Sequence, residues 1–279
     1  MIPFDFQYYR PDTIEEATMT FKDLDAKKLS PIYYGGGTEI ITQARKQVLS
    51  TGAVIDIKNI SECKMHEESD GLLIFGAALT LTEIIEKNLF PFFSKVCRPI
   101  ADHTVRNKLT LGGNICGKLP YREAILPLLV VDSKVVLAGP EGIREVPITK
   151  AFDKRLLLKK GEFFVQIKVP KDVVSLPYFN RRREKHTSVD YPIINIAAVK
   201  SESKFKMAFS GVSALPFRSQ EVEDFINKKE LPPEERVSNA INKLPLPIKR
   251  DQWASSEYRK ALLEKSMNEM IADLEGVSL

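Results

Sequence analysis

The sequence predicts an α+β chain of two domains, the first of them divided again. Three observations carry this. Glycine-rich turns join short apolar strands to helices over residues 1–172. A long apolar strand closes on Pro170, and beyond it two more strands give way to charged helices. At 279 residues the chain is long enough for both domains to bury a core.

Residues 1–60 read as a small α/β unit. Asp12–Leu24 is a helix capped by Asp12 or Thr13, with Glu15 and Glu16 favouring its first turn. "SPIYYGG" is a strand running into glycines, and Thr38–Gln47 is a helix with Thr38 as its cap. Ala53–Ile60 is a second strand. Residues 61–172 read as a larger α/β block. A strand passes into a helix that starts at Thr82 and Glu83. Phe92–Asn107 is helical up to a polar turn, and Lys108–Pro120 is a second glycine loop. Tyr121–Gly139 is a helix and then a strand, and Glu162–Pro170 is a strand ended by proline. Residues 173–279 carry alternating strands at Asp190–Lys200 and Phe205–Ser219. Charged helices follow, the last at Ser255–Leu274 with Tyr258, Leu262, Leu263 and Met267 on its core-facing stripe.

The net charge of +4, from 41 basic and 37 acidic residues, is too small an excess to indicate nucleic acid, and Arg181-Arg182-Arg183 reads as a solvated run. The longest apolar stretch, Ala124–Val131, falls far short of the ~20 residues of a membrane helix. The N-terminal residues lack a basic region followed by an apolar core, so a cytoplasmic chain without membrane contact is expected. Cys63, Cys97 and Cys116 are widely spaced and His66, His103 and His186 are scattered, so neither an iron–sulfur cluster nor a zinc site of its own is expected.

The chemistry is concentrated in two glycine segments. The first is Tyr33, Tyr34, Gly35, Gly36, Gly37, Thr38, Glu39 and Ile40; the second is Thr110, Leu111, Gly112, Gly113 and Asn114. Neither is a P-loop, for G-x-x-x-x-G-K-[ST] is absent. The Rossmann G-x-G-x-x-G also fails, because Ile40 stands where the third glycine belongs. Two such loops suit one long dianionic ligand: their exposed N–H groups would face a pyrophosphate, and the Thr and Asn side chains would add bonds. A dinucleotide has that shape and charge. No nucleophile–base pair accompanies the loops, so no residue is assigned a catalytic role.

The pair "GGGTEI" and "TVRNKLTLGGNIC" resembles the FAD-binding subunit of the xanthine dehydrogenase family of molybdenum hydroxylases. "VQIKVP", "SVDYPIINIAAVK", "MAFSGVSALPFRS" and "SSEYRK" have counterparts there in the same order, so the resemblance spans the chain. It implies an FAD-binding domain of the vanillyl-alcohol-oxidase/p-cresol-methylhydroxylase type over residues 1–172, with subdomains of about 1–60 and 61–172. It implies a C-terminal antiparallel sheet with helices over 173–279.

The resemblance also implies roles for single residues. The pyrophosphate lies against both glycine segments, with Ile100 and Arg106 near the flavin. Glu123 stands where relatives have an Asp that meets the ribityl or ribose portion, and Phe164 packs on the ring system. Lys185 or Asn180 takes the family's basic position. Simpler roles stand beside these: Glu123 favouring a helix start, Arg106 in a surface pair, Phe164 in the core, Cys116 as a small buried apolar residue.

The implied function is electron transfer. A molybdopterin-binding large subunit hydroxylates a heterocycle, commonly a purine, or an aldehyde with water. A small subunit relays electrons through [2Fe–2S] clusters, and the FAD subunit passes them on, usually to NAD. The cysteine count speaks against an added [4Fe–4S] insertion. Two other classes stay open: a stand-alone FAD-dependent oxidoreductase of the same fold, and an interaction protein that has lost the cofactor.

Overall fold

The computed structural model describes residues 2–184 and 191–276. The chain divides into two compact units. The first comprises Met1–Phe90, Arg98–Gly117 and Ser133–Lys171; the second comprises Pro91–Cys97, Lys118–Asp132 and Asp172–Leu279. Chain order alone places Pro91–Cys97 and Lys118–Asp132 inside the 61–172 block. Their apolar residues Phe92, Phe93, Val96, Ile125, Leu126, Leu128 and Leu129 are all buried, and they are grouped with the second unit.

The first unit holds two larger sheets. Strands Gln7–Tyr9, Ala53–Asp56 and Ile32–Tyr34 form a parallel sheet with Ala53–Asp56 in the middle. Helices Ile14–Ala26 and Thr38–Arg45 supply the crossovers that parallel strands require. The central strand is buried at all four positions, which explains its unbroken apolar start. A five-stranded antiparallel sheet runs in the order His66–Ser69, Leu72–Gly76, Phe163–Pro170, Lys134–Gly139, Gly142–Pro147. Its central strand is irregular between Phe164 and Gln166, and there the Val165 carbonyl accepts from Ala77 N–H instead.

Two helix starts differ from the sequence expectation. The cap of Thr38–Arg45 is Gly37 in the left-handed region, not Thr38, which is the first helical residue. The cap of Leu81–Lys87 is Thr80, not Thr82. Thr80 and Glu83 satisfy each other's backbone N–H groups in a capping box, so the signal lay three residues ahead of the glutamate.

The second unit is built on a four-stranded antiparallel sheet, Tyr178–Glu184, Pro192–Ser201, Lys204–Ser210 and Phe217–Arg218 in that order. Strand Pro192–Ser201 is buried from Pro192 through Val199, so both its faces are covered rather than one, as alternation would require. Helices Ile125–Val130 and Ser256–Glu275 pack on it. The long helix is capped by Ser255 and buries Leu263, Met267, Met270, Ile271 and Leu274. Tyr258, expected on that stripe, is 53% exposed. It sits in the first turn, ahead of the stripe that Leu263 begins.

Candidate cofactor site

Strand Ile32–Tyr34 delivers the first glycine segment directly into the helix Thr38–Arg45. Tyr33 anchors the strand. Its ring lies 5.2 Å from Phe21 and 4.5 Å from Phe163, and its hydroxyl donates to the Gly161 carbonyl at 3.0 Å. Burial pushes its phenol well above the usual range. The Tyr33 side chain is therefore an internal support, and only its backbone borders the glycines.

The three glycines are needed for separate reasons. A Cβ on Gly35 would lie 2.7 Å from Thr110 Oγ1, and one on Gly36 would lie 1.6 Å from the Lys108 carbonyl oxygen. Gly37 has φ +72, and its Cβ would meet the Tyr34 hydroxyl at 2.1 Å. The two glycine segments thus pack against each other inside the first unit. Among the described residues, no acceptor in the chain takes the backbone N–H of Gly36, Gly37, Thr38 or Ile40. Gly37 offers no side-chain cap to the helix. Four neighbouring N–H donors at a helix start form a cradle for an anion.

The second segment has a different role from the one its sequence suggests. It is a short helix, Leu111–Cys116, capped by the Thr110 side chain. Its first N–H groups are all used: Leu111 donates to the Leu79 carbonyl, Gly112 to the Ala77 carbonyl and Gly113 to Thr110 Oγ1. Leu111, Gly112 and Gly113 consequently offer no backbone donor to a phosphate, which corrects the expectation of two equivalent loops. Gly112 is glycine because a Cβ would lie 2.9 Å from the Ala77 carbonyl oxygen. Gly113 is exposed, and a Cβ there would meet only Thr110 Oγ1, at 3.0 Å. This segment contributes open space at Gly113, while Thr110 is 1% exposed and its hydroxyl is held as the helix cap. Asn114 is half-buried one residue further along, and Cys116, expected to be buried, is exposed.

Glu39 accepts from Gln43 Nε2 at 2.6 Å, and a Cβ on Gly117 would meet its other oxygen at 2.4 Å. Glu39 therefore fills the space between the two helices. Ile100 is buried. Arg106 donates to the carbonyls of Ile100 and Ala101, so its guanidinium holds this turn, where Ala101 has φ +53. Phe164 is buried in the central strand of the five-stranded sheet, opposite Leu137.

Glu123 and Asn180 belong to the second unit. Glu123 is 3% exposed, and its Oε1 accepts from Arg182 Nε at 2.8 Å and from Asn195 Nδ2 at 2.7 Å. Burial pushes its carboxyl up, against the pull of Arg182 and Asn195. Asn180 donates to Asn195 Oδ1 and to the Ile196 carbonyl, so its amide is committed to the neighbouring strand. Lys185 lies outside the described residues.

Several residues around the cradle were not foreseen. Lys58 Nζ donates to the Gly35 carbonyl at 2.9 Å and to Asp56 Oδ2 at 2.6 Å, and it stands 4.7 Å from the centre of the Tyr34 ring. Tyr8 donates to the same Asp56 oxygen at 2.5 Å. The only sequence signal was an Asp-x-Lys pair at the end of a strand, with the carbonyl it serves 23 residues away.

Residues 4–172 match the family model described as the FAD binding domain in molybdopterin dehydrogenase. The chain belongs to that family. FAD is the cofactor of this domain, and the helix-start cradle of free N–H groups fits its anionic portion. The chain is thus a flavoprotein component of an oxidoreductase of this type. It is 27% identical to the xanthine dehydrogenase FAD-binding subunit of Escherichia coli O157:H7, over 97% of this chain and 96% of that one. It is also 27% identical to the glyceraldehyde dehydrogenase medium chain of Sulfolobus acidocaldarius, over 97% of this chain and 100% of that one. In fold it is similar to a chain of carbon monoxide dehydrogenase from Hydrogenophaga pseudoflava, in the form lacking the Mo-pyranopterin moiety. The TM-score there is 0.87 at 22% identity, with 100% of both chains covered. No helix among the described residues is long and apolar enough to cross a membrane.

Proposed function

We propose that this FAD-binding chain is the electron-transfer subunit of a molybdenum hydroxylase. In this reading it receives electrons from the [2Fe–2S] clusters of a small partner subunit and passes them to NAD. A large molybdopterin-binding subunit supplies the hydroxylation. The observation that carries the reading is the cradle at Gly36, Gly37, Thr38 and Ile40, in a chain whose match runs over nearly the whole of a protein named as an FAD-binding subunit. When bound, the isoalloxazine supplies redox chemistry that accepts electrons singly and delivers them as a pair.

The chain's own residues bind and orient. The N–H groups of Gly36, Gly37, Thr38 and Ile40 would hold the pyrophosphate, Thr110 would support Gly35 from behind, and Gly113 would leave room. Domain boundaries near 172 and the p-cresol-methylhydroxylase-type subdivision of the FAD domain form part of the same proposal.

No His or Cys lies within the cradle, so the FAD should be held without a covalent bond. Acid precipitation is expected to leave all yellow colour in the supernatant, and colour retained in the protein pellet would contradict this. The subunit reading is tested by purification from the native host. Co-elution with molybdenum- and iron-containing chains is expected. Sustained xanthine turnover by the single chain, with no metal detected, would instead favour a stand-alone oxidoreductase.

Gly113→Val tests the space assigned to the ligand. Gly113 is exposed and its Cβ has a single close neighbour, Thr110 Oγ1, which need shift only by a few tenths of an ångström, so the apoprotein should lose little thermal stability. FAD affinity should fall about tenfold or more, which is about 1.4 kcal/mol. Unaltered affinity, measured by flavin fluorescence titration, would remove Gly113 from the site.

A further inference from the structure

We infer that Lys58 is a positioning residue for the cofactor's pyrophosphate, acting through the peptide between Gly35 and Gly36. The inference rests on the FAD reading above. The peptide bonds of the described residues are trans, and in a trans peptide the C=O and the next N–H point in opposite directions. Lys58 Nζ binds the Gly35 carbonyl at 2.9 Å. It thereby fixes that peptide plane and aims the Gly36 N–H, the first donor of the cradle, away from Lys58.

Glycines would otherwise leave the plane free to flip, since neither side carries a Cβ to restrict it. Nothing else among the described residues holds the Gly35 carbonyl.

Lys58 is itself fixed. Asp56, 2% exposed, accepts from Lys58 Nζ at 2.6 Å and from Lys58 N–H at 3.0 Å. Tyr8 closes the carboxylate from outside at 2.5 Å, and the Tyr34 ring lies under the ammonium. The hydrogen bond to Asp56, with burial, pushes the Tyr8 phenol up to about 12, so it remains a donor across the physiological range. Asp56 neutralises the ammonium, so the influence of Lys58 on the cradle is geometric more than electrostatic.

The test compares wild type, Lys58→Met, Lys58→Arg and Tyr8→Phe apoproteins in titrations with FAD and with ADP, which carries a pyrophosphate but no flavin. Lys58→Met is expected to weaken both ligands together by about tenfold, and Lys58→Arg to restore most of the loss. The visible spectrum of flavin-saturated Lys58→Met should match wild type, because the ring's surroundings are untouched. Tyr8→Phe should show the same paired loss at smaller size, and it decides the matter alone if Lys58→Met does not fold. Affinities unchanged within twofold, or a loss confined to FAD, would overturn the assignment. Failure of the wild-type chain to take up FAD would overturn the functional reading itself, before any variant is compared.

Discussion

Gly36→Val is expected to abolish flavin binding by separating the two glycine segments, with the apoprotein destabilised by about 3 kcal/mol or more. The sequence alone suggests another route, in which the added side chain fills the space of the pyrophosphate. The geometry excludes that as the first event. A Cβ at this position would sit 1.6 Å from the Lys108 carbonyl oxygen, a backbone atom that rotamer change cannot move. The turn at Lys108 is held by its own N–H to the Val105 carbonyl, and the next residue's carbonyl accepts from Leu81 N–H. Relief would require displacing the whole turn before the Thr110 cap. Gly36→Ala should therefore fail in the same way, since the first carbon already clashes. Thermal unfolding of the apoproteins separates the two routes: Gly36→Ala should lose much stability without ligand, while Gly113→Val should lose little. A Gly36→Ala apoprotein as stable as wild type would refute the packing account.

Arg259→Ala should be the most damaging single change in the second unit, by about 3–5 kcal/mol. Arg259 is 1% exposed and donates to the Ile193 and Gly211 carbonyls and to Asp251 Oδ1. Truncation strands both carbonyls in a dry interior and leaves Asp251 without its buried partner. Burial alone would push the Asp251 carboxyl up. Hydrogen bonds from Lys249 and the Trp253 N–H, together with the Arg259 charge, outweigh it and hold the carboxyl at about 2, below the ordinary 3.8. A depressed carboxylate stabilises the fold above its unfolded-state value and loses that contribution as pH falls through the folded one. The stability gap between wild type and Arg259→Ala should narrow as pH drops from about 4 to about 2. Urea melts across that range give the measurement. A gap that is small at pH 7, or independent of pH, would show that the pair contributes little.

Local chemistry is partly legible where the interacting residues lie within one turn of each other. The sequence offers Asp12 or Thr13 as the first cap, and the structure selects Thr13; Ser219 and Ser255 cap their helices in the same way, accepting from N–H groups three residues on. Thr80 and Thr82 offer the same hydroxyl two residues apart, and only the capping box with Glu83 distinguishes Thr80 as the cap. The Gly37 cap is not legible in the sequence, because φ +72 depends on how the strand enters the helix, not on the glycine itself.

The sequence by itself determined the mixed α and β character, the family and its cofactor. Each of these is written in residue order: a strand, three glycines and a helix, then a second glycine pair some 75 residues later. Only the tertiary structure decided how the two glycine segments divide their work. Both begin helices and both look like phosphate cradles. In one the N–H groups of Gly36, Gly37, Thr38 and Ile40 find no acceptor among the described residues, while in the other Leu79, Ala77 and Thr110 take them. The same is true of Lys58, whose partner Gly35 lies 23 residues away. A backbone donor carries no mark in the sequence of whether a distant carbonyl will reach it. The packing of other elements supplies or withholds that carbonyl, and so selects which helix start remains open to a ligand.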